Sequence, residues 1–174
     1  MSRPLRLLAP EAIDDLLLYR LSRLLAQGGG PVIRLCEGRH GITRREWRLL
    51  SLLAQAPGQS PSALAQRAQL DRARTSKAIS SLCEKQLILR TTRPGDRRRV
   101  VLHLSERGAE IVQALFPEVC AINQQLLAAL SPEQVALLDG LLNTLQAQAD
   151  ALPLPADLPK ADRHRGKGRA PGSP

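Results

Sequence analysis

One stretch breaks an otherwise helical chain and limits what the rest can be. Residues 87–104 hold two β-like runs, Leu87–Arg93 and Arg98–Leu104, rich in alternating and β-branched residues, with Pro94-Gly95-Asp96 between them. This pattern predicts a hairpin. Just before it, Ser60-Pro61 gives an N-cap followed by proline at the first helical position, which starts a short helix to about Ala68. Gln69-Leu70-Asp71 forms a turn, and Asp71 can cap a helix from Arg72 to about Lys85. The predicted order is helix, turn, helix, hairpin.

The flanks read as helices. Ile13, Leu16, Leu17, Leu21, Leu24 and Leu25 recur at helical spacing within Ala12–Gln27, and Gly28-Gly29-Gly30-Pro31 is expected to end that helix. Val32–Gly41 reads as a connector with room for a helical turn. Thr43 and Glu46 form a capping box for a helix through Trp47 to Leu53, stopped by Pro57-Gly58. Ser105 caps a long helix from Glu106 to about Leu130, on which Leu115, Val119, Ile122 and Leu126 make a heptad-like seam. Ser131-Pro132-Glu133-Gln134 opens a last helix carrying Val135, Leu138, Leu141, Leu142 and Leu145. The expected fold is mainly α with a small β-hairpin wing: one domain over residues 1–150, with the winged helix-turn-helix at about 42–104. Residues 151–174 hold Pro, Gly and basic residues with nothing to bury, and are expected to form a disordered tail.

Charge points to a partner. The 174 residues carry a net charge of +9, unevenly spread. Residues 67–107 hold 11 Lys or Arg against four Asp or Glu, whereas residues 108–150 hold no basic residue and five acidic ones. Solvated surfaces mix their signs; this segregation suits a face that meets a polyanion. Tyr19, Trp47 and Phe116 are the only aromatics, too few for a surface that stacks single-stranded bases. Cys36, Cys83 and Cys120 lack metal-ligand or disulfide spacing. No nucleophile–base pair, carboxylate dyad or phosphate loop is legible, so neither an enzyme nor a metal or cofactor is expected. Without a leader-like or membrane-length apolar run, a soluble cytoplasmic protein is expected.

The basic residues fall on the two parts that such a module presents to double-stranded DNA. Arg72, Arg74, Thr75, Ser76 and Lys77 occupy the start of the second helix, where side chains can reach base edges in a major groove. Arg93, Arg97, Arg98 and Arg99 tip the hairpin, where guanidinium groups suit a narrow minor groove. Ser60 and Ser62, at the start of the short helix, suit phosphate oxygens. Asp96 fits a wing-structuring role, paired with Arg98.

Taken together, Ile42-Thr43…Trp47-Arg48-Leu49-Leu50, Leu64-Ala65, Arg74 through Leu82, Leu87-Ile88-Leu89-Arg90, the wing Asp96-Arg97-Arg98 and Leu104-Ser105-Glu106-Arg107-Gly108 resemble the MarR family of bacterial winged-helix transcription regulators, over about Ala12 to Gln148. One departure is Gln86, where the family often has glycine. The resemblance implies a homodimer built by helices at about 10–30 and 106–150, a palindromic operator, and repression relieved by a small phenolic or aromatic carboxylate. It implies a ligand site for which Tyr19, Arg20, Arg23, His40 and Trp47 are candidates, with Arg48 beside them, since an arginine next to a ring suits a planar anion. Two alternatives stand beside it: an architectural DNA-coating protein helped by the basic tail, and a redox-sensing regulator using Cys36.

Overall fold

The computed structural model describes residues 5–93 and 96–153, the side chains of 93–99 excepted. The basic tail and the Pro94-Gly95 tip therefore lie outside the described residues, as does the expected Asp96–Arg98 pair.

Local chemistry sets each helix boundary. A short 3-10 turn at Ile13–Asp15 leads into α1, Leu17–Gly28. The glycine run ends α1 as expected, at Gly28 with Gly29 as its C-cap, but the connector beyond it is helical, not open. The chain passes Gly29 and continues as α2, Gly30–Arg34, with proline near its start, and then as a π-helical turn at Leu35–Arg39. Pro31 at the start of α2 loses no bond there, because the first N–H groups of a helix have no intrahelical partner. The whole connector is thus helical up to Gly41, whose φ of +62° reverses the chain. Thr43 caps α3, Arg44–Gln55, and the capping box closes with Glu46 N–H on Thr43 Oγ1 at 3.2 Å and Thr43 N–H on the Glu46 carboxylate at 2.6 Å.

Ser60 caps α4, Pro61–Arg67, and Asp71 caps α5, Arg72–Glu84, accepting the Arg74 N–H at 2.8 Å. Strands β1, Ile88–Arg93, and β2, Asp96–Leu104, pair antiparallel, with Ile88 opposite Leu104 and a register shift after Thr92. A third short edge was not visible in the sequence. Gly58 N–H donates to Leu102 O at 3.0 Å and Leu102 N–H to Gln59 O at 2.9 Å, tying the segment before α4 to the base of the hairpin. Gln86 takes a φ of +58° at the entry to β1. This left-handed conformation favours glycine, which accounts for the family's usual residue there.

The core is aliphatic, as the scarcity of aromatics requires. Ile42, Leu49, Leu50, Leu53, Leu64, Ile79, Leu82, Leu87, Leu102 and Leu115 are fully buried, so α3, α4, α5, the hairpin base and the following helix, Glu106–Leu127, meet in one cluster. The long helix α6, Glu106–Leu127, is capped by Ser105 and carries Pro117 inside it. The chain divides into two compact units, one ending at Ala129 and one beginning at Leu130. The second unit holds α7, Pro132–Ala151, opened by the Ser131/Gln134 capping box and without a buried residue. Among the described residues, no helix is long and apolar enough to cross a membrane.

Candidate nucleic-acid interface and ligand cavity

The start of α5 is held by its cap. Asp71 takes the Arg74 backbone N–H and pairs with the Arg74 guanidinium at 3.2 Å, fixing the first turn. Around that turn Arg72, Arg74, Ser76 and Lys77 are exposed on α5, and Ser62 is exposed on α4. Ser62, Arg72 and Ser76 border a cleft between the two helices. Ser60 is half-buried and occupied by its cap, accepting from Ala63 N–H at 3.2 Å while lying 3.0 Å from the Ser62 hydroxyl. Thr75 needs a correction. The residue is 1% exposed at the floor of that cleft and its hydroxyl donates to Asp71 O at 2.9 Å, so it braces the turn and offers no free hydroxyl. Thr75 shares its side of α5 with Ala78, Ile79 and Leu82, all buried, which periodicity could have shown. The backbone of the wing places Arg93 opposite Asp96; the side chains of Arg93, Asp96, Arg97, Arg98 and Arg99 lie outside the described residues. Behind them Arg90, on β1, is exposed and donates to Ser80 Oγ at 3.3 Å.

An ion pair fixes α5 from its other end. Glu46 is 3% exposed, and Lys85 Nζ lies 2.9 Å and 3.1 Å from its carboxylate oxygens while also donating to Gly41 O at 2.8 Å. Burial works against the Glu46 carboxylate. Hydrogen bonds from Ser81, the Thr43 N–H and Lys85, with the lysine charge, outweigh it and hold the carboxyl below its ordinary pKa. The start of α3 and the end of α5 are therefore locked together.

A cavity of about 400 Å³ opens between α1, α3 and α6. Leu21, Leu24, Leu25, Val119, Ile122 and Leu126 make its apolar wall, and Arg44, Trp47, Arg48 and Asn123 supply its polar groups. Trp47 is half-buried, and its Nε1–H is buried without an acceptor among the described residues. Of the sequence candidates, only Trp47 and Arg48 border this cavity. Tyr19, Arg20 and Arg23 do not: Arg23 is engaged by Asp14 at 2.7 Å with its guanidinium 6.0 Å from the Tyr19 ring centre, and Arg20 is exposed. His40 is half-buried away from the cavity, its Nε2 without a partner among the described residues. Arg44 and Asn123 were missed. Arg44, Trp47 and Arg48 follow i, i+3, i+4 spacing, which alone would have put them on one face. Cys36 is fully buried, and burial chiefly pushes its thiol pKa up. The Glu37 charge adds to the shift and Arg44 partly opposes it. That environment disfavours the thiolate that a redox sensor needs.

Residues 40–99 match the sequence profile of the MarR family. Over 113 residues the chain is 36% identical to a Thauera aromatica protein described as a transcriptional regulatory protein for the hcr operon, an alignment covering 65% of this chain and 68% of that one. The chain belongs to the MarR family. This MarR-family protein is a transcriptional regulator with a DNA-binding winged helix, and its relatives are regulators, not enzymes. It is also 25% identical over 112 residues to the homoprotocatechuate degradative operon repressor of Escherichia coli, covering 64% of this chain and 73% of that repressor. Its fold is shared by Streptococcus pneumoniae FabT, solved in complex with DNA, with a TM-score of 0.62 at 23% identity over 76% of this chain and 98% of FabT.

Proposed function

We propose that this regulator is a homodimeric, sequence-specific repressor in the cytoplasm, released from its operator by a small aromatic carboxylate. Arg72, Arg74, Ser76 and Lys77 on α5, with Ser62 on α4, would face one half-site, and the arginine-rich wing would reach the flanking minor groove. The fold shared with FabT, which was solved on DNA, is consistent with this reading. A second copy would cover apolar surface that the single chain leaves bare: α1 exposes Leu18, Leu21, Leu24 and Leu25, and α7 exposes Leu137, Leu141, Leu142 and Leu145. Two-fold symmetry would then set the half-sites one helical turn apart.

The effector reading rests on one observation: Arg44, Arg48 and an acceptor-less Trp47 N–H border the same leucine-walled cavity. Two guanidinium groups can bind a carboxylate, the indole N–H can donate to an oxygen, and the leucines can hold a ring. The relative that represses a homoprotocatechuate operon points to the same chemical class. The test is an anisotropy titration on DNA upstream of the chain's own gene, with excess unrelated duplex and at two salt concentrations, then repeated with homoprotocatechuate and with benzoate. Binding that survives competitor and falls on adding either acid supports the proposal. Equal affinity for any duplex would instead favour a DNA-coating role.

A further inference from the structure

We propose that Arg48 is the positioning residue that couples the ligand cavity to the helix-turn-helix; this rests on the effector reading above. Arg48 borders the cavity, and its Nη1 donates to the carbonyl of Ala68 at 3.3 Å. Ala68 is the residue that ends α4. The last carbonyls of a helix have no partner within it, so an outside donor holds this one. The residues that follow are tightly constrained. Gln69 adopts a φ of +51°, Leu70 N–H donates back to Ala65 O at 3.1 Å, and Asp71 caps α5. One guanidinium thus reaches both the ligand cavity and the hinge between the two helices of the DNA-binding unit.

The two contacts differ in strength. A bond from guanidinium to a neutral carbonyl is weaker than one to a carboxylate, and the Ala68 contact is long. A carboxylate entering the cavity draws Arg48 to itself. Ala68 O then loses its donor, the turn loosens, and the start of α5 no longer holds its groove-facing position. Arg44, on the same face of α3, contributes charge to the cavity but donates no bond to the turn among the described residues.

The test uses the full-length chain, with benzoate and homoprotocatechuate as probes. Binding to the cavity is followed by the fluorescence of Trp47, the only tryptophan, and operator affinity is measured with and without saturating probe. Wild type is expected to lose about tenfold in operator affinity when saturated, within the usual span of allosteric coupling. Arg48→Met is expected to start at the weakened, probe-saturated level, and its ratio of affinities with and without probe falls to about one. Arg48→Gln, polar and uncharged but too short to span to Ala68 O, gives a second reading of the same ratio should the methionine variant fold poorly. A merely structural role would lower affinity yet leave the tenfold ratio intact; that result, with the probe still bound, overturns the coupling role while sparing the cavity. No change in Trp47 fluorescence in wild type with either acid overturns the cavity reading, and the coupling role with it.

Discussion

A buried glycine offers the sharpest test of how the wing joins the long helix. Gly108 sits in the first turn of α6, buried, with its N–H on Ser105 Oγ at 2.9 Å. A β-carbon there would overlap the carbonyl oxygen of Leu87 outright and come within 3.0 Å of the carbonyl carbon. The obstacle is backbone, so no rotamer change relieves it. Leu87 is fully buried, and its carbonyl also accepts the Ser105 N–H at 3.1 Å. Gly108→Ala must therefore push the start of α6 away from the entry to β1. Overpacking of this kind costs about 1–3 kcal/mol. Losing the Ser105–Leu87 bond adds about 1 kcal/mol, and the better helix propensity of alanine returns up to about 1 kcal/mol. The net is a loss of about 2 kcal/mol, or about 4–8 °C in Tm for a chain of this length. Gly38 is the control: it lies in the π-helical turn with negative φ and nothing within 4 Å of an added β-carbon. Gly38→Ala is expected to be neutral or to stabilise by up to about 1 kcal/mol. Thermal melts followed by circular dichroism compare the two. A Gly108→Ala protein that melts at or above wild type would refute the argument.

Further outcomes follow from the same geometry. Because the folded-state pKa of Glu46 is depressed below 4.5, its stabilising contribution is complete above that value and is lost as pH falls through the lower folded value. Lys85→Met, which strands the buried carboxylate, is expected to cost about 3 kcal/mol in urea unfolding and to flatten that acid limb. Asp71→Ala removes the cap of α5 and should cost about 1 kcal/mol, with operator affinity falling alongside it. Lys77→Ala removes one cation from the groove-facing side of α5 and should weaken operator binding while reducing the slope of log affinity against log salt by about one, read from titrations at several salt concentrations. Gln86→Gly relieves the left-handed backbone at the entry to β1 and should be neutral or stabilise by up to about 1 kcal/mol, read in the same melts.

Legibility in the sequence followed how local the determining physics was. Caps are local: Thr43 with Glu46, Ser60, Asp71, Ser105 and Ser131 were all readable, and each caps its helix as expected. The β-run was readable because alternation needs only its own residues. The glycine run at 28–30 marked the end of α1 correctly, but the helical connector after it was read only as room for a turn, since Pro31 could restart a helix at once. The Gly58–Leu102 edge joins segments far apart in sequence, and no local pattern announces it. The cavity was half legible. Trp47 and Arg48 carried a chemical signal, whereas Tyr19 and Arg23 were plausible by type yet found each other and Asp14 instead. Thr75 was misplaced because the run Arg72 to Lys77 was read as a basic cluster; at 100° per residue one member of such a run must turn inward.

The three cysteines make this protein its own clock. Cys83 and Cys120 are partly accessible, while Cys36 is sealed in the π-helical turn beneath Ile42 N–H, which its carbonyl accepts at 3.1 Å. A thiol reagent reaches Cys36 only during moments when that turn springs open, so its labelling rate is the opening equilibrium multiplied by the intrinsic reactivity of the thiol. The two partly accessible thiols react first and mark the start of the record. The late, third modification then counts excursions of the segment joining the N-terminal helix to the winged module. Anything that grips that segment from either side, small molecule or duplex, would register as a slower tick at a single sulfur atom.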